Sequence, residues 1–184
     1  MSASSNDSTG KADKATKTNK SSKGPKTPSP RSRSRAFALQ ALYQWQLTQH
    51  SWTDIEKQFQ TDEAFGKADA ALFKTITLGA ITKSEALVEA LTPHLDRPWN
   101  EVSPIERSIL LIGAFELTDQ VTTPYRVIIN EAIELAKSYG GTDGHKYVNG
   151  VLDKLAAIVR ADEIALGPAA SSGRTPARRS SAAT

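Results

Sequence analysis

Residues 103–117 read SPIERSILLIGAFEL, and this stretch contains the clearest helix signal in the chain. Ser103 is a residue type that often caps a helix N-terminus, Pro104 follows at the first helical position, and Glu106 stands where a carboxylate supports the cap. The stretch therefore predicts a buried helix that begins at 104. Its apolar residues recur at helical spacing, at Ile105, Ile109, Ile112 and Leu117.

Helical patterns lie on both sides of this stretch. Residues 53–56 resemble a capping box, Pro93 ends the helix before the stretch, and Gly140 ends the helix after it. No segment alternates between apolar and polar residues, so no strand is predicted. The sequence predicts an all-α fold, a single globular domain of about six or seven helices. The predicted helices are 35–49, a short one from Thr53, 68–91, and one each from Pro104, Thr123 and about His145.

The net charge of +3 hides a division along the chain. Residues 1–35 hold six Lys and three Arg against two Asp, a charge of +7. Residues 168–184 hold three Arg and no acid, a charge of +3, and the part between has 11 basic and 18 acidic residues, a charge of −7. An acidic body between basic ends indicates a polyanionic partner for the basic part.

Composition also predicts the domain limits. Residues 1–30 are rich in Lys, Ser and Pro and residues 167–184 are basic, and both are too poor in apolar residues to fold, so they are predicted to be disordered tails. Residues 31–166 form the predicted helical domain. The chain has no cysteine, which excludes disulfides and thiolate metal sites. It shows no signal-peptide pattern and no apolar run long enough for a membrane, so we expect a soluble cytoplasmic protein.

The residues offer little catalytic chemistry. The three histidines are far apart, so no metal site or cofactor is predicted. Glu131 and Glu134 share a helix face and are better explained as solvated or partner-facing than as paired glycosidase carboxylates. The glycine-rich residues 140–144 follow a helix and lack the Lys-Ser/Thr of a phosphate-binding loop. The sequence therefore predicts a binding protein and not an enzyme.

A cationic segment, the arginine arm of Arg31, Arg33 and Arg35, leads into the first helix. Guanidinium groups bind phosphates through paired hydrogen bonds, and fusion to a helix holds such a segment in a defined place. Single-stranded RNA is recognised by aromatic stacking together with amides and cations. Aromatic and polar groups lie near helix ends at Tyr43, Tyr139, Lys146, Tyr147 and Asn149. The alternative is that the tyrosine rings belong to the core and the arginines to a solubilising tail.

Four segments resemble the NusB family of bacterial transcription antitermination factors. They are RAFALQALY at 35–43, SPIER at 103–107, PYRVIINEAIELAK at 124–137 and HKYVNGVLDK at 145–154. The resemblance spans about residues 31–160 and implies two packed helical sub-bundles. It also implies binding to the boxA element of ribosomal RNA transcripts together with NusE, a small-subunit ribosomal protein. The pair would join the antitermination complex on RNA polymerase.

The resemblance also implies which residues bind. In the family the RNA surface includes an arginine-rich N-terminus, which corresponds here to Arg31, Arg33 and Arg35. Glu106 matches a position that holds the basic NusE partner. The remaining RNA-binding positions match Tyr43, Arg97, Tyr139, Asp143, Lys146, Tyr147 and Asn149.

The sequence departs from the family pattern at some of these positions and at residues next to them. Ser32 and Ser34 interrupt an arginine cluster that is usually denser, and Ala36 replaces an acidic residue. Tyr139 and Tyr147 replace phenylalanines, which keeps an aromatic face for stacking.

Two other functions stay open on the sequence alone. The first is the RNA-binding N-terminal domain of a ribosomal RNA methyltransferase; the chain stops at residue 184 without the glycine-rich cofactor loop of such enzymes, and binding of S-adenosylmethionine would support it. The second is a helical adaptor without any RNA role, which unchanged RNA affinity in arginine-arm variants would support.

Overall fold

The central element of the computed structural model is the helix that begins at Pro104, as the sequence predicts. Ser103 is its N-cap, and the Ser103 hydroxyl accepts a hydrogen bond from the backbone N–H of Glu106 at 3.2 Å. Every residue from Ser108 to Leu117 is buried, so this helix is surrounded on all sides.

The structure describes residues 27–48 and 50–167, and within them all regular structure is helical. The predicted all-α fold is thus confirmed, with eight α-helices and three short 3₁₀ turns in the described part. The helices are α1 (Pro30–Thr48), α2 (Trp52–Gln60), α3 (Ala70–Thr82), α4 (Ser84–Leu91), α5 (Pro104–Asp119), α6 (Tyr125–Tyr139), α7 (Gly144–Val159) and α8 (Ala161–Leu166). The 3₁₀ turns are Glu63–Lys67, Thr92–His94 and Trp99–Glu101.

Two helical groups meet along α1 and α5. Arg35 near the start of α1 bonds to Glu116 near the end of α5, while Gln46 near the end of α1 bonds to Ser108 near the start of α5, so the two helices run antiparallel. α1 packs on α2 and α3 to form the first sub-bundle, and α5 packs on α6 and α7 to form the second. This arrangement agrees with the two packed sub-bundles that the family resemblance implies.

Aromatic side chains fill the first sub-bundle. Phe73 of α3 contacts Trp52, Phe59 and Phe65 with ring centroids 5.0–5.7 Å apart, and Phe37 of α1 contacts Phe59 and Phe65 edge-on. Such tilted and edge-to-face pairs add about 0.5–1.5 kcal/mol each beyond the area they bury. The cluster fixes α1 against α2 and α3, and so fixes where the start of α1 lies.

Several predicted helix limits are wrong. α1 begins at Pro30, before the predicted residue 35, and its first turns are held by bonds from Ser34 to the N-cap residue of α3, Asp69, and from Arg35 to Glu116 of α5. The short helix starts at Trp52 with Ser51 as its cap, and Asp54 supports that cap in place of the predicted box at 53–56. The single helix predicted over 68–91 is broken at Lys83, where no glycine or proline lies: α3 packs on both α1 and α5, while α4 packs on α5.

The short helix α8 also lies beyond what the sequence predicted, and it holds the α5–α6 connection. Arg160, at the junction of α7 and α8, donates to backbone carbonyls at the end of α5, and the Glu163 carboxylate accepts from the backbone N–H of Tyr125 at 3.0 Å. Because Pro124 provides no side-chain cap, Glu163 takes that role at the start of α6.

The predicted tails fall almost wholly on residues 1–26 and 168–184, outside the described part of the chain. Across residues 27–48 and 50–167, no helix is both long and apolar enough to cross a membrane. The same residues contain no group of three or more acidic or histidine side chains placed to hold a metal ion.

Candidate nucleic-acid interface

The first two arginines of the arginine arm are helical. Arg31 and Arg33 lie in the first turn of α1, and the Arg31 side chain is 62% exposed with its Nε 4.0 Å from the Asp69 carboxylate. Arg33 is half-buried at the edge of a groove between α1 and α6. Both side chains therefore reach the surface from within α1, and not from a segment that precedes the helix predicted over 35–49.

Arg35 requires a correction, because its side chain is not part of this surface. The residue is 2% exposed, and its guanidinium donates from Nε and Nη2 to the two Glu116 carboxylate oxygens at 2.8 and 2.7 Å. Its Nη1 lies 3.7 Å from the carboxylate of Glu131. Arg35 is thus the cation of a buried ion pair between α1 and α5, and it holds the core together.

The serines of the arginine arm also have structural partners. Ser34 is fully buried, and its hydroxyl lies 2.7 Å from the backbone carbonyl of Asp69 and 3.0 Å from that of Pro30. The Ser32 hydroxyl donates to the Glu131 carboxylate at 3.0 Å. These bonds attach the start of α1 to α3 and α6 and fix the positions from which Arg31 and Arg33 project.

A groove of about 410 Å³ runs between α1 and α6 and joins two of the predicted binding residues. Arg33 lines it toward the start of α1, and Tyr139 lines it at the end of α6. Tyr139 is 44% exposed, which leaves its ring accessible for stacking. Glu131 and Glu134 also line the groove, but their carboxylates are engaged, Glu131 with Ser32 and Glu134 with Lys137.

A second cluster of predicted residues surrounds the start of α7. The Arg97 guanidinium lies over the Tyr147 ring, 5.0 Å from its centroid. Burial raises the pKa of Tyr147, the negative charges of Asp96 and Glu106 add to the rise, and Arg97 opposes it. The Tyr147 hydroxyl is buried with no hydrogen-bond partner among the described residues.

Asp143 and Lys146 form an exposed ion pair at the same helix start, with Lys146 Nζ 2.8 Å from Asp143 Oδ1. More than two thirds of each side chain is exposed, so the pair opens at little cost to a ligand phosphate. Lys146 is therefore placed to reach a phosphate next to the Tyr147 cluster.

Asn149 faces a different side of α7. It lines a shallow groove between α6 and α7 together with Arg126, Asn130 and Asp153. Sequence reasoning did not single out Arg126 or Asn130, although their spacing of four residues puts both on one exposed face of α6. An amide pair beside an arginine is chemistry that reads base edges and phosphates.

Tyr43 and Glu106 lie near the same end of the molecule as Tyr139 and Tyr147. Tyr43 is 39% exposed on α1, 12 residues after Arg31 and hence about 18 Å further along the helix axis. Glu106 is half-buried: one carboxylate oxygen accepts from the Ser103 hydroxyl at 2.9 Å, and a Cβ on Gly144 would lie 2.7 Å from the other. The Glu106 side chain thus lies between the starts of α5 and α7.

Comparison with known proteins gives a consistent set of relatives. The sequence model of the NusB family matches residues 32–157. The transcription antitermination protein NusB of Dechloromonas aromatica (strain RCB) is 54% identical over 137 residues, which cover 74% of this chain and 84% of that protein. The protein of the same name from Burkholderia lata is 56% identical over 135 residues, covering 73% and 93%.

Solved structures agree with these relatives. T. maritima NusB superposes with a TM-score of 0.63 at 29% identity, covering 73% of this chain and 94% of that one. A chain from a crystal structure of antitermination factors NusB and NusE in complex with dsRNA superposes with a TM-score of 0.58 at 20% identity, covering 69% and 96%. At 20% identity, the second similarity shows a shared fold.

Proposed function

The chain belongs to the NusB family, and on that premise we propose that it is a transcription antitermination factor that binds boxA-type single-stranded RNA together with NusE. In this role it joins the antitermination complex on RNA polymerase and supports transcription of ribosomal RNA. It acts by binding and not by catalysis, in the cytoplasm, and residues 31–166 are the functional domain.

The observation that carries the RNA assignment is the groove between α1 and α6. It places a cation, Arg33, and an exposed aromatic ring, Tyr139, along one surface. Single-stranded RNA is bound by such combinations, in which cations neutralise phosphates while bases stack on rings. The proposed RNA path runs from Arg31 and Arg33 along this groove to Tyr139 and to Tyr43 of α1. It continues to the residues around the start of α7, which are Arg97, Asp143, Lys146 and Tyr147, and Asn149 extends the surface on the neighbouring side of α7.

The negative charge of the helical domain supports the proposal of a basic protein partner. Residues 36–167 carry a charge of −7, so a basic ribosomal protein is attracted to the surface that RNA does not occupy. We assign Glu106 to that contact. Since one of its oxygens is bonded to Ser103 and the other faces the start of α7, a partner that binds Glu106 also contacts the edge of the proposed RNA surface.

Fluorescence anisotropy with a labelled boxA RNA tests the proposal, measured with and without NusE across a salt series. We expect binding that NusE strengthens and that weakens as salt rises. An adaptor without an RNA role would bind NusE while the RNA signal stayed constant. A scrambled RNA of equal length is the control for sequence preference.

Replacing Arg31 and Arg33 together by alanine is expected to weaken boxA RNA binding about fivefold to tenfold. Each arginine neutralises about one phosphate, so the slope of log affinity against log salt should become shallower by about 1.4. Lys57→Ala with Lys67→Ala removes two exposed cations from the first sub-bundle and serves as the matched control. Equal affinity and an equal slope in both double variants would contradict the assignment of Arg31 and Arg33.

Charge reversal by Glu106→Arg is expected to reduce NusE affinity at least tenfold, because it removes an attractive charge and adds a repulsive one. Glu106→Gln preserves the acceptor for Ser103 and should have a smaller effect in the same direction. Titration calorimetry with NusE measures both variants. Glu63→Arg, an exposed reversal in the first sub-bundle, is the control, and an effect of equal size there would assign the loss to overall charge.

A further inference from the structure

We propose that Asp96 is a positioning residue for RNA: it holds the Arg97 guanidinium over the Tyr147 ring, so that one nucleobase stacks on the outer face of the guanidinium. This inference rests on the proposed RNA-binding function and identifies how one part of that surface contacts a base. It gives an acidic residue a favourable role in binding a polyanion.

The Arg97 guanidinium contacts both a carboxylate and an aromatic ring. Asp96 accepts from Arg97 Nε at 2.8 Å and from Nη2 at 3.2 Å, so both carboxylate oxygens bind the guanidinium. The Arg97 Cζ atom lies 5.0 Å from the centroid of the Tyr147 ring. A carboxylate bound at two points fixes the orientation of the planar guanidinium as well as its position. Asp96 therefore restricts Arg97 to the arrangement that covers Tyr147.

Tyr147 cannot serve as an open stacking surface in this arrangement. Its ring is half-buried against the core, its hydroxyl is buried, and Arg97 lies over its face. A base therefore meets the guanidinium before it meets the tyrosine. The Arg97 side chain is 48% exposed, and RNA-binding proteins stack bases on arginine planes as well as on aromatic rings. A guanidinium layer also supplies a positive charge to the RNA, which a bare ring does not.

The surrounding charges support the same arrangement. The hydrogen bond from Arg97 is the largest cause of the lowered pKa of Asp96, and Lys154 of α7 lowers it further. The hydrogen bond to Asp96 raises the pKa of Arg97, with Tyr147 and Glu106 acting in the same direction. Asp96 thus stays ionised at neutral pH between two cations, and much of its repulsion toward RNA is offset locally.

The decisive variant is Asp96→Ala, because a positioning role and a purely electrostatic role for Asp96 predict opposite changes in RNA affinity. If Asp96 only added negative charge, its removal would strengthen RNA binding. If it positions Arg97, its removal should weaken boxA RNA binding about threefold to fivefold in the presence of NusE. Asp162→Ala removes an equal charge from an exposed position on α8, away from the proposed RNA surface, and is the matched control, with affinity expected to be unchanged or higher. The Asp96 side chain is 61% exposed, so the melting temperature should not change.

Three further measurements separate positioning from charge. In NMR spectra, the Arg97 side-chain resonances should show a ring-current shift from Tyr147 that is lost in Asp96→Ala and restored in Asp96→Glu. Arg97→Lys keeps the charge and removes the plane, so it should weaken binding by at least as much as Asp96→Ala. With an RNA abasic at the stacked nucleotide, the Asp96→Ala effect should disappear.

The outcomes distinguish this inference from the function on which it rests. RNA affinity in Asp96→Ala equal to or above that of the wild type would overturn the positioning role and leave the proposed function intact. An unchanged Arg97 ring-current shift in that variant would overturn it independently of RNA. Absence of boxA RNA binding by the wild type with NusE would overturn both.

Discussion

Replacing Arg35 by alanine is expected to lower the free energy of unfolding by about 3–5 kcal/mol, because it leaves Glu116 as a buried charge without its partner. Both side chains are almost fully buried, at 3% and 1% exposure, so solvent cannot take the place of the guanidinium. For a domain of this size the melting temperature should fall by about 10 °C or more. Thermal unfolding followed by circular dichroism measures the change.

The electrostatics of this pair explain the size of the expected effect. Burial by itself lowers the pKa of Arg35, but the hydrogen bond and charge of Glu116 outweigh that cost, Glu131 contributes as well, and the pKa of Arg35 is raised. The guanidinium therefore stays charged inside the protein, with the Glu116 carboxylate as its partner.

Two control variants sharpen the Arg35 prediction. Arg33→Ala, two residues away at the surface, should change stability by less than about 0.5 kcal/mol. Arg35→Met combined with Glu116→Leu removes both charges and should recover much of the stability that Arg35→Ala loses. An Arg35→Ala protein as stable as the wild type would contradict the buried ion pair.

The burial of Arg35 affects how RNA-binding experiments should be designed. A variant that replaces Arg31, Arg33 and Arg35 together combines two surface residues with one core residue, so a loss of RNA binding could follow from partial unfolding alone. Restricting the substitutions to Arg31 and Arg33 tests the surface directly.

The sequence contained the information needed to place Arg35 in the core. Arg35 precedes Ala38 by three residues and Leu42 by seven, so it continues the buried stripe of α1. Glu116 is likewise the single charged residue among the apolar residues 108–117 of α5. Two opposite charges at apolar positions of two helices predict each other as partners. The assignment of Arg35 to the RNA surface rests on the arginine-rich composition of residues 31–35 and on the family resemblance, and neither takes account of the helix period.

Local signals predicted the parts of the fold that local chemistry determines. The Ser103 cap and Pro104 set the start of α5, and the glycine after Tyr139 marks the end of α6. No glycine or proline lies at the break at Lys83, and the two halves differ in their packing: α3 packs on α1 and α5, whereas α4 packs on α5 and α7. The Asp96–Arg97–Tyr147 arrangement joins residues about 50 positions apart, so the sequence suggested Arg97 and Tyr147 separately but not their contact.

Arg160→Ala is expected to destabilise the domain by about 3 kcal/mol, because one guanidinium satisfies the carbonyl end of α5. Arg160 is 7% exposed and lies just outside the residues that match the family model. Its Nη2 donates to the carbonyls of Glu116 and Gln120 at 3.1 and 3.0 Å, and its Nε donates to that of Leu117. Helices end with unpaired carbonyls, and a cation there also interacts favourably with the helix dipole.

The effect of Arg160→Ala should extend beyond α5. Arg160 Nη1 also holds the Glu163 carboxylate at 2.9 Å, and Glu163 in turn caps the start of α6. Hydrogen exchange should therefore rise at the end of α5 and in the first turn of α6 together.

Arg160→Lys retains the charge but reaches fewer carbonyls, so about half of the stability loss is expected. Arg126→Ala, an exposed arginine on α6, is the control and should leave stability within about 0.5 kcal/mol of the wild type. If Arg160→Ala altered exchange only around α8, the proposed role of Arg160 in joining α5 to α6 would be wrong.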